Sequence, residues 1–373
     1  MNFETYPFEK LNNLLKDITP NQKLKPLNLT IGEPQFQTPQ FILDELKNHL
    51  ELFNKYPKSA GESLLRESIL KYLKNRFDIE LTSDQIIPTF GTREVLFNFP
   101  QFYLFNKSNP TVAFPNPFYQ IYEGSAKASR AKIIHMNLTK EGGFKPSLDE
   151  DSLREVDLVV INTPNNPTSS TLLIDELKRW VELALEYDFL LINDECYIDI
   201  YLDKPLPSLL NASIEVGNLD FKNILVVNSI SKRSSAPGLR SGFIAGDSEI
   251  LKGYMRYRTY VGSASPLPLQ YASAVAWAEQ SHVDRFREKY IKNFELAEEI
   301  LGIEPPLATF YIWLEVGDDI EFTKRLYRDY NLKVIAGSFL GREEMGSGYI
   351  RLALVYEVEE TREALLRVKD ALN

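Results

Sequence analysis

The chain has 373 residues, of which 44% are hydrophobic and 12% are aromatic, enough for a large core and for two domains. Its formal net charge of −10 argues against a nucleic-acid-binding surface, which requires clustered Lys and Arg. We expect no membrane span, because no apolar run approaches the ~18 residues that a helix needs to cross a bilayer.

Cysteine and histidine are scarce in this sequence. The one cysteine, Cys196, excludes an intramolecular disulfide and is consistent with a reducing cytoplasm. The N-terminal segment carries early acidic residues and no apolar core, so we expect neither a signal peptide nor a transit peptide. Only three histidines are present, and none has a metal-binding spacing. These features predict a cytoplasmic protein without a metal site.

Short apolar runs alternate with amphipathic runs through the middle of the chain, which predicts a mostly parallel sheet covered by helices. The predicted strands are Ile86–Phe90, Thr111–Phe114, Asp157–Asn162, Phe189–Asn193 and Ile224–Asn228. Apolar residues at helical spacing within 174–185 predict a helix between the third and fourth strands. In the last third of the chain, the residue pattern predicts a long helix at about 284–301, a β-rich run at 309–314 and a final helix at 361–372.

Ligands bind beyond the carboxyl ends of the strands in open parallel sheets, so the residues after each strand should converge. The first strand leads into Gly91-Thr92-Arg93 at the start of a helix, where free backbone N–H groups can bind phosphate. A simple helix cap is the alternative for Thr92. Tyr119 follows the second strand, where its ring either stacks on a flat ligand or packs in the core.

Polar groups also follow the third and fourth strands. A Pro-containing turn at 163–168 presents the amide of Asn166, although an ordinary Asn-Pro turn would explain the same residues. Asp194 follows the fourth strand, and a carboxylate there is costly to bury unless a cation pairs with it. Tyr197, three residues further on, adds a phenol that can bond a ring oxygen.

The fifth strand leads into a lysine with hydroxyl neighbours. Ser229 and Ser231 precede Lys232, and Arg240 lies eight residues beyond it. Partial burial and nearby cations favour the neutral amine that attacks a carbonyl, while the hydroxyls and Arg240 can hold an anion. A solvated loop would explain the lysine alone. Together, the five strand ends offer the groups that one phosphate-bearing ring demands.

With these motifs the sequence resembles the fold-type I pyridoxal-phosphate aminotransferases of class I/II over nearly its whole length. The resemblance implies an α/β fold, with a mostly parallel seven-stranded sheet between helices and a smaller α+β domain. It also implies a large cofactor-binding domain at 41–279 and a discontinuous small domain at 1–40 and 280–373. The motifs that carry it are Asn165-Asn166-Pro167-Thr168, Asp194-Glu195-Cys196-Tyr197, Ser229-x-Ser231-Lys232 with Arg240, and Gly348-Tyr349-Ile350-Arg351-Leu352.

The same resemblance implies pyridoxal 5′-phosphate as the cofactor, with Lys232 as its Schiff-base lysine and Asp194 paired with the pyridine nitrogen. Asn166 and Tyr197 would bond the ring oxygen, and Tyr119 would stack on the ring. The groups implied for the phosphate are Gly91, the backbone of Thr92 and Arg93, Ser229, Ser231 and Arg240.

On the substrate side, the resemblance implies that Gly32 lines the site and that Arg351 binds the substrate α-carboxylate. Tyr56 resembles the family tyrosine that reaches the phosphate in the neighbouring subunit, which implies a homodimer with shared active sites. Ser169 departs from the pattern, because the family usually has glycine after Asn-Pro-Thr.

Three stretches, at 28–34, 231–243 and 337–343, together with Arg258-Thr259-Tyr260, resemble the bacterial N-succinyl-L,L-diaminopimelate aminotransferases. That resemblance implies glutamate as the donor and N-succinyl-2-amino-6-oxopimelate as the acceptor, in lysine and diaminopimelate biosynthesis. A distal carboxylate then needs a further donor. Arg233, Arg258 and Arg342 are candidates, with surface roles as the alternative.

Other functions remain open at this point. Aspartate or aromatic amino acids are alternative transamination substrates, and β-elimination at a C–S bond is an alternative reaction on the same cofactor. A non-catalytic regulator built on this fold is disfavoured by the acidic composition and by an aminotransferase-like pattern that begins at about Tyr6. A dinucleotide dehydrogenase is excluded, because no G-x-G-x-x-G follows a predicted strand.

Overall fold

The computed structural model describes residues 3–373, and a seven-stranded sheet forms its centre in the order β2-β8-β7-β6-β5-β3-β4. All strands of this sheet run parallel except β8, which is antiparallel to both of its neighbours. The strands of the central sheet are β2 Ile86–Thr89, β3 Thr111–Asn116, β4 Lys132–Asn137, β5 Leu158–Asn162, β6 Leu190–Asp194, β7 Ile224–Ser229 and β8 Gly242–Gly246.

The five strands predicted in the middle of the chain are confirmed, with ends that differ by one or two residues. Two strands of this sheet, β4 and β8, were not predicted from the sequence. β4 is a sheet edge with mostly half-exposed residues, so it lacks the continuous apolar run of a buried strand. β8 begins and ends with glycine, which weakens the strand signal.

Helices cover both faces of the sheet, and the expected helices at 174–185, 284–301 and 361–372 are confirmed within α7, α12 and α14. The helices are α1 Pro7–Leu15, α2 Gln40–Asn48, α3 Ser63–Phe77, α4 Thr92–Tyr103, α5 Ile121–Ala128, α6 Glu150–Glu155, α7 Ile174–Glu186, α8 Leu209–Glu215, α9 Ile230–Arg233, α10 Ser248–Val261, α11 Leu267–Ala278, α12 Ser281–Leu301, α13 Asp319–Tyr330 and α14 Val358–Leu372. Within the described residues, none of these helices is long and apolar enough to span a membrane.

Alternating residues of the central strands supply two apolar layers, one on each face of the sheet. In β6, Leu191 belongs to one layer and Leu190 and Ile192 belong to the other. All three side chains are at most 2% exposed. Because both faces are buried, the strands read as continuous apolar runs, and polar side chains occur mainly where a strand ends.

Both ends of the chain contribute to two smaller sheets. Strand β1 (Leu27–Asn28) pairs in parallel with β10 (Leu332–Lys333). The second small sheet is antiparallel, with β12 (Tyr349–Ala353) between β9 (Tyr311–Glu315) and β11 (Ile335–Ala336). They share a third apolar cluster with α12 and α14. The division into a large domain at 41–279 and a small domain at 1–40 and 280–373 stays a prediction.

Candidate active site

The carboxyl ends of β2, β5, β6 and β7 meet at one edge of the central sheet, where a pocket of about 850 Å³ opens. This volume lies within the usual range for a small-molecule site. The predicted site residues that line the pocket are Gly32, Thr92, Arg93, Tyr119, Asn166, Asp194, Tyr197, Ser229, Ser231, Lys232, Arg240 and Arg351.

Lys232 lies in the short helix α9, directly beyond β7. Ser229 caps this helix, and its side chain accepts a hydrogen bond from the Ser231 backbone N–H. The Lys232 amine donates a hydrogen bond to the backbone carbonyl of Gly32. Burial lowers the pKa of Lys232 to about 8, and the positive charges of Arg351 and Arg93 act in the same direction. About a tenth of the amine is therefore neutral at pH 7, far more than for an ordinary lysine.

Asp194 is buried at the end of β6, with 4% of its surface exposed. The Tyr122 hydroxyl donates to Asp194 Oδ2 at 2.8 Å, and the Cys196 backbone N–H donates to Oδ1 at 3.3 Å. Burial raises the pKa of this carboxyl, because these hydrogen bonds and the Lys232 charge offset the lost hydration only in part. A cation beside Asp194 would offset the remaining cost of burying the ionised carboxylate.

An anion cradle lies at the N-terminus of α4. Gly91 precedes the helix with a φ of +74°, and Thr92 and Arg93 begin it with free backbone N–H groups. A Cβ on Gly91 would lie 2.5 Å from Nη2 of Arg240, so only glycine lets this guanidinium approach the helix terminus. The Ser229 and Ser231 side chains complete the cradle from α9.

Arg351 lies on β12 of the small antiparallel sheet and reaches into the same pocket. Its Nη1 donates to Oδ1 of Asn166 at 2.6 Å, and its Nη2 donates to the Thr30 carbonyl. The side chain is 4% exposed, and its Nε makes no hydrogen bond in the described residues. A buried N–H without an acceptor is costly, so this guanidinium is set up to receive an anion.

The two tyrosines and the glycine beside Arg351 constrain one another. The hydroxyls of Tyr197 and Tyr311 lie 3.0 Å apart, and the Arg351 guanidinium lies 4.4 Å from the Tyr311 ring centroid. A Cβ on Gly32 would lie 1.9 Å from the Tyr311 hydroxyl oxygen. The position at 32 therefore has to be glycine for Tyr311 to keep its place.

Two predicted residues behave differently from the rest. Tyr119 lines the pocket, but its hydroxyl accepts a hydrogen bond from Nε of Arg93 at 2.7 Å. Tyr56 is fully exposed and does not line the pocket of its own chain.

Ser169, the departure from the family pattern, has a φ of +61°, which explains why glycine is usual there. Its hydroxyl compensates for the unfavourable backbone by bonding Thr309 Oγ1 at 2.6 Å and the Tyr311 carbonyl at 2.9 Å. The serine therefore ties the Asn-Pro turn to the small sheet, and the neighbouring amide of Asn166 still lines the pocket.

The three arginines considered for a distal carboxylate are each paired with a carboxylate of the protein. These ion pairs are Arg233 Nε with Asp199 Oδ2 at 2.7 Å, Arg258 Nε with Glu94 Oε1 at 2.7 Å, and Arg342 Nη2 with Glu123 Oε2 at 2.6 Å. None of the three lines the pocket. The structure therefore uses them to hold its own elements together.

Two pocket-related residues were missed from the sequence. Tyr122 lies in the first turn of α5, and its contact with Asp194 joins positions 72 residues apart, which no local pattern indicates. Tyr311 lies in the β-rich run at 309–314, and nothing local to that run indicates a contact with Tyr197.

The fold and the pocket together define the class of the protein. Residues 25–368 match the model of the family "Aminotransferase class I and II", and the chain belongs to that family. Enzymes of this family depend on pyridoxal 5′-phosphate, which is therefore the cofactor of this protein. The chain is an aminotransferase of fold type I.

Three similar proteins illustrate this membership. Aminotransferase AspB from Helicobacter pylori, known from a crystal structure, is 52% identical to this chain. The two structures superpose with a TM-score of 0.97, over 99% of this chain and 99% of AspB. An LL-diaminopimelate aminotransferase of Syntrophobacter fumaroxidans is 29% identical over 98% of this chain and 95% of its own length. An aspartate aminotransferase of Thermotoga maritima is 28% identical over 93% of this chain and 91% of its own length.

Proposed function

We propose that this aminotransferase takes the amino group of glutamate and transfers it to a keto or semialdehyde acceptor, N-succinyl-2-amino-6-oxopimelate. The observation that carries the amino-acid part of the proposal is Arg351, a buried guanidinium with an N–H lacking an acceptor, in the same pocket as Lys232. An α-carboxylate is a planar anion that accepts two parallel hydrogen bonds from such a group.

The pocket fits pyridoxal 5′-phosphate at each of its parts. The cradle of Gly91, Thr92 and Arg93 with Arg240 would hold the phosphate. Asp194 would hold the proton on the pyridine nitrogen, and a pyridinium there would relieve the cost of burying this carboxylate. The remaining contacts would come from Ser229 and Ser231 to the phosphate, Asn166 and Tyr197 to the ring oxygen, and Tyr119 to the ring face.

The proton chemistry is carried by Lys232. Bound pyridoxal 5′-phosphate supplies the electron sink that makes the α-hydrogen of the substrate acidic. The neutral amine of Lys232 then accepts the proton from the substrate α-carbon and later returns a proton on the way to the keto acid. Its lowered pKa of about 8 suits both tasks, because base and acid forms are then both accessible near neutral pH.

Tyr197 and Asn166 would orient the reacting groups. Tyr197 is held by the hydroxyl of Tyr311, and Asn166 is held by Arg351, so the residues for the ring oxygen and for the α-carboxylate are coupled. Binding of a carboxylate at Arg351 would therefore act on the hydrogen bond that holds the Asn166 side chain. Such mutual support keeps catalytic groups in a productive geometry.

The proposed acceptor is supported by resemblance to other aminotransferases. The stretches at 28–34, 231–243 and 337–343 resemble N-succinyl-L,L-diaminopimelate aminotransferases, and the Syntrophobacter relative is named for LL-diaminopimelate. Aspartate is a second candidate substrate, since the Thermotoga relative is named an aspartate aminotransferase. Both candidates carry at least two carboxylates and share the α-carboxylate that Arg351 would bind.

A homodimer is part of the proposal. Tyr56 is fully exposed, Tyr260 is 93% exposed and Phe53 is 59% exposed, which is unusual for large side chains. In the proposed dimer, a second copy of the chain would cover Tyr56, and Tyr56 would reach the phosphate of that partner. Sedimentation equilibrium tests this arrangement, with a dimer as the expected species.

The function is tested by mixing the cofactor-loaded enzyme with single amino acids and following the loss of its yellow absorbance. Glutamate should bleach the enzyme, and N-succinyl-2-amino-6-oxopimelate should restore the colour. Steady-state kinetics should give parallel double-reciprocal lines. A lack of bleaching by glutamate would remove it as the donor, and pyruvate with ammonia released from a cysteine conjugate would indicate a C–S β-lyase instead.

A further inference from the structure

Lys232 lies on a helix that is too short to be stable by itself. Helix α9 has four residues, Ile230–Arg233, and one helical turn has too few internal hydrogen bonds to outweigh the cost of ordering it. Ser229 caps the beginning of this helix. Because Lys232 lies near the other end, the contacts of Arg233 and Ser234 decide how firmly its backbone is held.

The end of α11 and the start of α12 make these contacts. The Arg233 guanidinium donates to the Ala276 carbonyl at 2.8 Å and to Oε1 of Gln280 at 2.9 Å. His282 lies in the first turn of α12, and its Nε2 is 2.8 Å from the Ser234 hydroxyl oxygen. Within residues 3–373, this imidazole is the only hydrogen-bond partner of the Ser234 side chain.

Glu279 fixes the direction of the hydrogen bond between His282 and Ser234. Its carboxylate bonds Nδ1 of His282 and accepts a second bond from the His282 backbone N–H at 3.0 Å. Burial lowers the pKa of His282 to about 4, so the ring carries one proton at neutral pH. That proton lies on Nδ1, because the ionised carboxylate can only accept, and Nε2 therefore accepts from the Ser234 hydroxyl.

A carboxylate, an imidazole and a serine hydroxyl follow one another here as they do in serine hydrolases, but this serine does not meet a substrate. Ser234 is 0% exposed and His282 is 1% exposed, and neither residue lines the pocket. Burial makes both groups dependent on each other, since an unpaired hydroxyl or imidazole nitrogen in the interior is costly. The contact therefore holds the end of α9 in one place.

We propose that Glu279, His282 and Ser234 are positioning residues for Lys232, and that their hydrogen-bond chain keeps the amine where it moves the proton. The inference rests on the proposed function, because it takes Lys232 as the group that carries the proton. Ser234 is two residues from Lys232, so the loss of its bond lets this end of α9 shift. A displacement of about 1 Å at a reacting group is enough to cost much of the rate.

The first test removes the hydroxyl. In Ser234→Ala, the bleaching rate at saturating glutamate should fall about tenfold, while the glutamate concentration for half-maximal rate should stay within about twofold, because Arg351 still binds the α-carboxylate. The matched control is Ser273→Ala, which removes another buried serine hydroxyl, bonded to the Leu269 carbonyl within α11, and should keep the wild-type rate. An unchanged rate in Ser234→Ala, or equal losses in both variants, would overturn the inference.

The second test separates positioning from a general loss of packing. His282→Gln places an amide near the position of Nε2 and still reaches Ser234, whereas His282→Asn places it near Nδ1, toward Glu279. Both variants lose the contact of the ring with Phe41, so their urea midpoints should fall by similar amounts. The bleaching rate should stay within about threefold of the wild type in His282→Gln and fall about tenfold in His282→Asn. Equal rates in the two variants would contradict the proposed role of the Ser234 bond.

A chemical test needs no transamination. In the cofactor-free, full-length protein, the pH midpoint for acetylation of Lys232 should lie near 8, and Ser234→Ala should raise it by at least about half a pH unit, because a looser α9 lets water reach the amine. An unchanged midpoint in Ser234→Ala would refute the inference.

The inference and the proposed function fail in different ways. If no amino acid bleaches the loaded wild-type enzyme, the proposed function is wrong, and the acetylation midpoints still decide the inference. If glutamate bleaches the wild type and Ser234→Ala at the same rate, the transaminase activity stands and the inference alone is wrong.

Discussion

The lowered pKa of Lys232 makes a quantitative prediction about its reactivity in the cofactor-free protein. Burial disfavours the ammonium form and lowers the pKa to about 8, from 10.5 for an ordinary lysine. At pH 7, an amine with a pKa of 8 is about 10% neutral, whereas one with a pKa of 10.5 is about 0.03% neutral. The neutral fraction of Lys232 therefore exceeds that of an ordinary lysine about 300-fold.

Competitive acetylation measures this difference at a single residue. The cofactor-free protein is treated with trace acetic anhydride between pH 6 and 11, and acetylation of Lys232 is quantified by peptide mass spectrometry against an added free-lysine standard. The reactivity should rise with pH through a midpoint near pH 8 and level off above about pH 9, where about nine tenths of the amine is neutral. Replacing Arg351 with Gln removes a cation that lowers the pKa, so the midpoint should move to higher pH.

A midpoint near pH 10 in the wild-type protein would refute the reasoning. It would mean that water hydrates the amine freely, and that burial between α9 and the Gly32 carbonyl does not prepare Lys232 for reaction. A midpoint that is unaffected by Arg351→Gln would show that this guanidinium lies outside the electrostatic range of the amine.

Three further predictions concern charged groups of the site and its support. Asp194→Asn should lower the bleaching rate with glutamate at least about a hundredfold while leaving the circular dichroism spectrum unchanged, because the amide fills the same space without holding the pyridine proton. Arg351→Gln should lower kcat/KM for glutamate about a hundredfold, and titration should give an unaltered affinity for pyridoxal 5′-phosphate. Asp199→Asn should lower the free energy of unfolding in urea by about 3 kcal/mol, because Arg233 and Arg76 lose their buried counter-ion. An unchanged urea midpoint would contradict that role for Asp199.

The sequence was most informative at the strand ends. Buried parallel strands are continuous apolar runs, so the change to polar residues marks where each strand leaves the core. The ends at Asp194 and Ser229 could therefore be located, and the common direction of the strands implied that the groups meet. Strand β8 is antiparallel, so its beginning lies at the same edge as the ends of the parallel strands. Arg240, just before β8, therefore also lies at this edge.

Contacts that depend on tertiary distance could not be predicted in this way. The partner of Arg258 lies 164 residues away and that of Arg342 lies 219 residues away, so a local pattern does not reveal that either guanidinium is already neutralised. The same reason applies to Tyr311, whose contact with Tyr197 joins the small sheet to the large one. Only the assembled structure separates the arginines that hold the fold from those that line the pocket, Arg93, Arg240 and Arg351.

The most direct test of the account is to load the enzyme with pyridoxal 5′-phosphate, reduce it with borohydride and map the modified peptide by mass spectrometry. The account predicts one stable label, on the ε-nitrogen of Lys232. A label on another residue, or a colourless protein that takes up no cofactor, would contradict the assignment of the site.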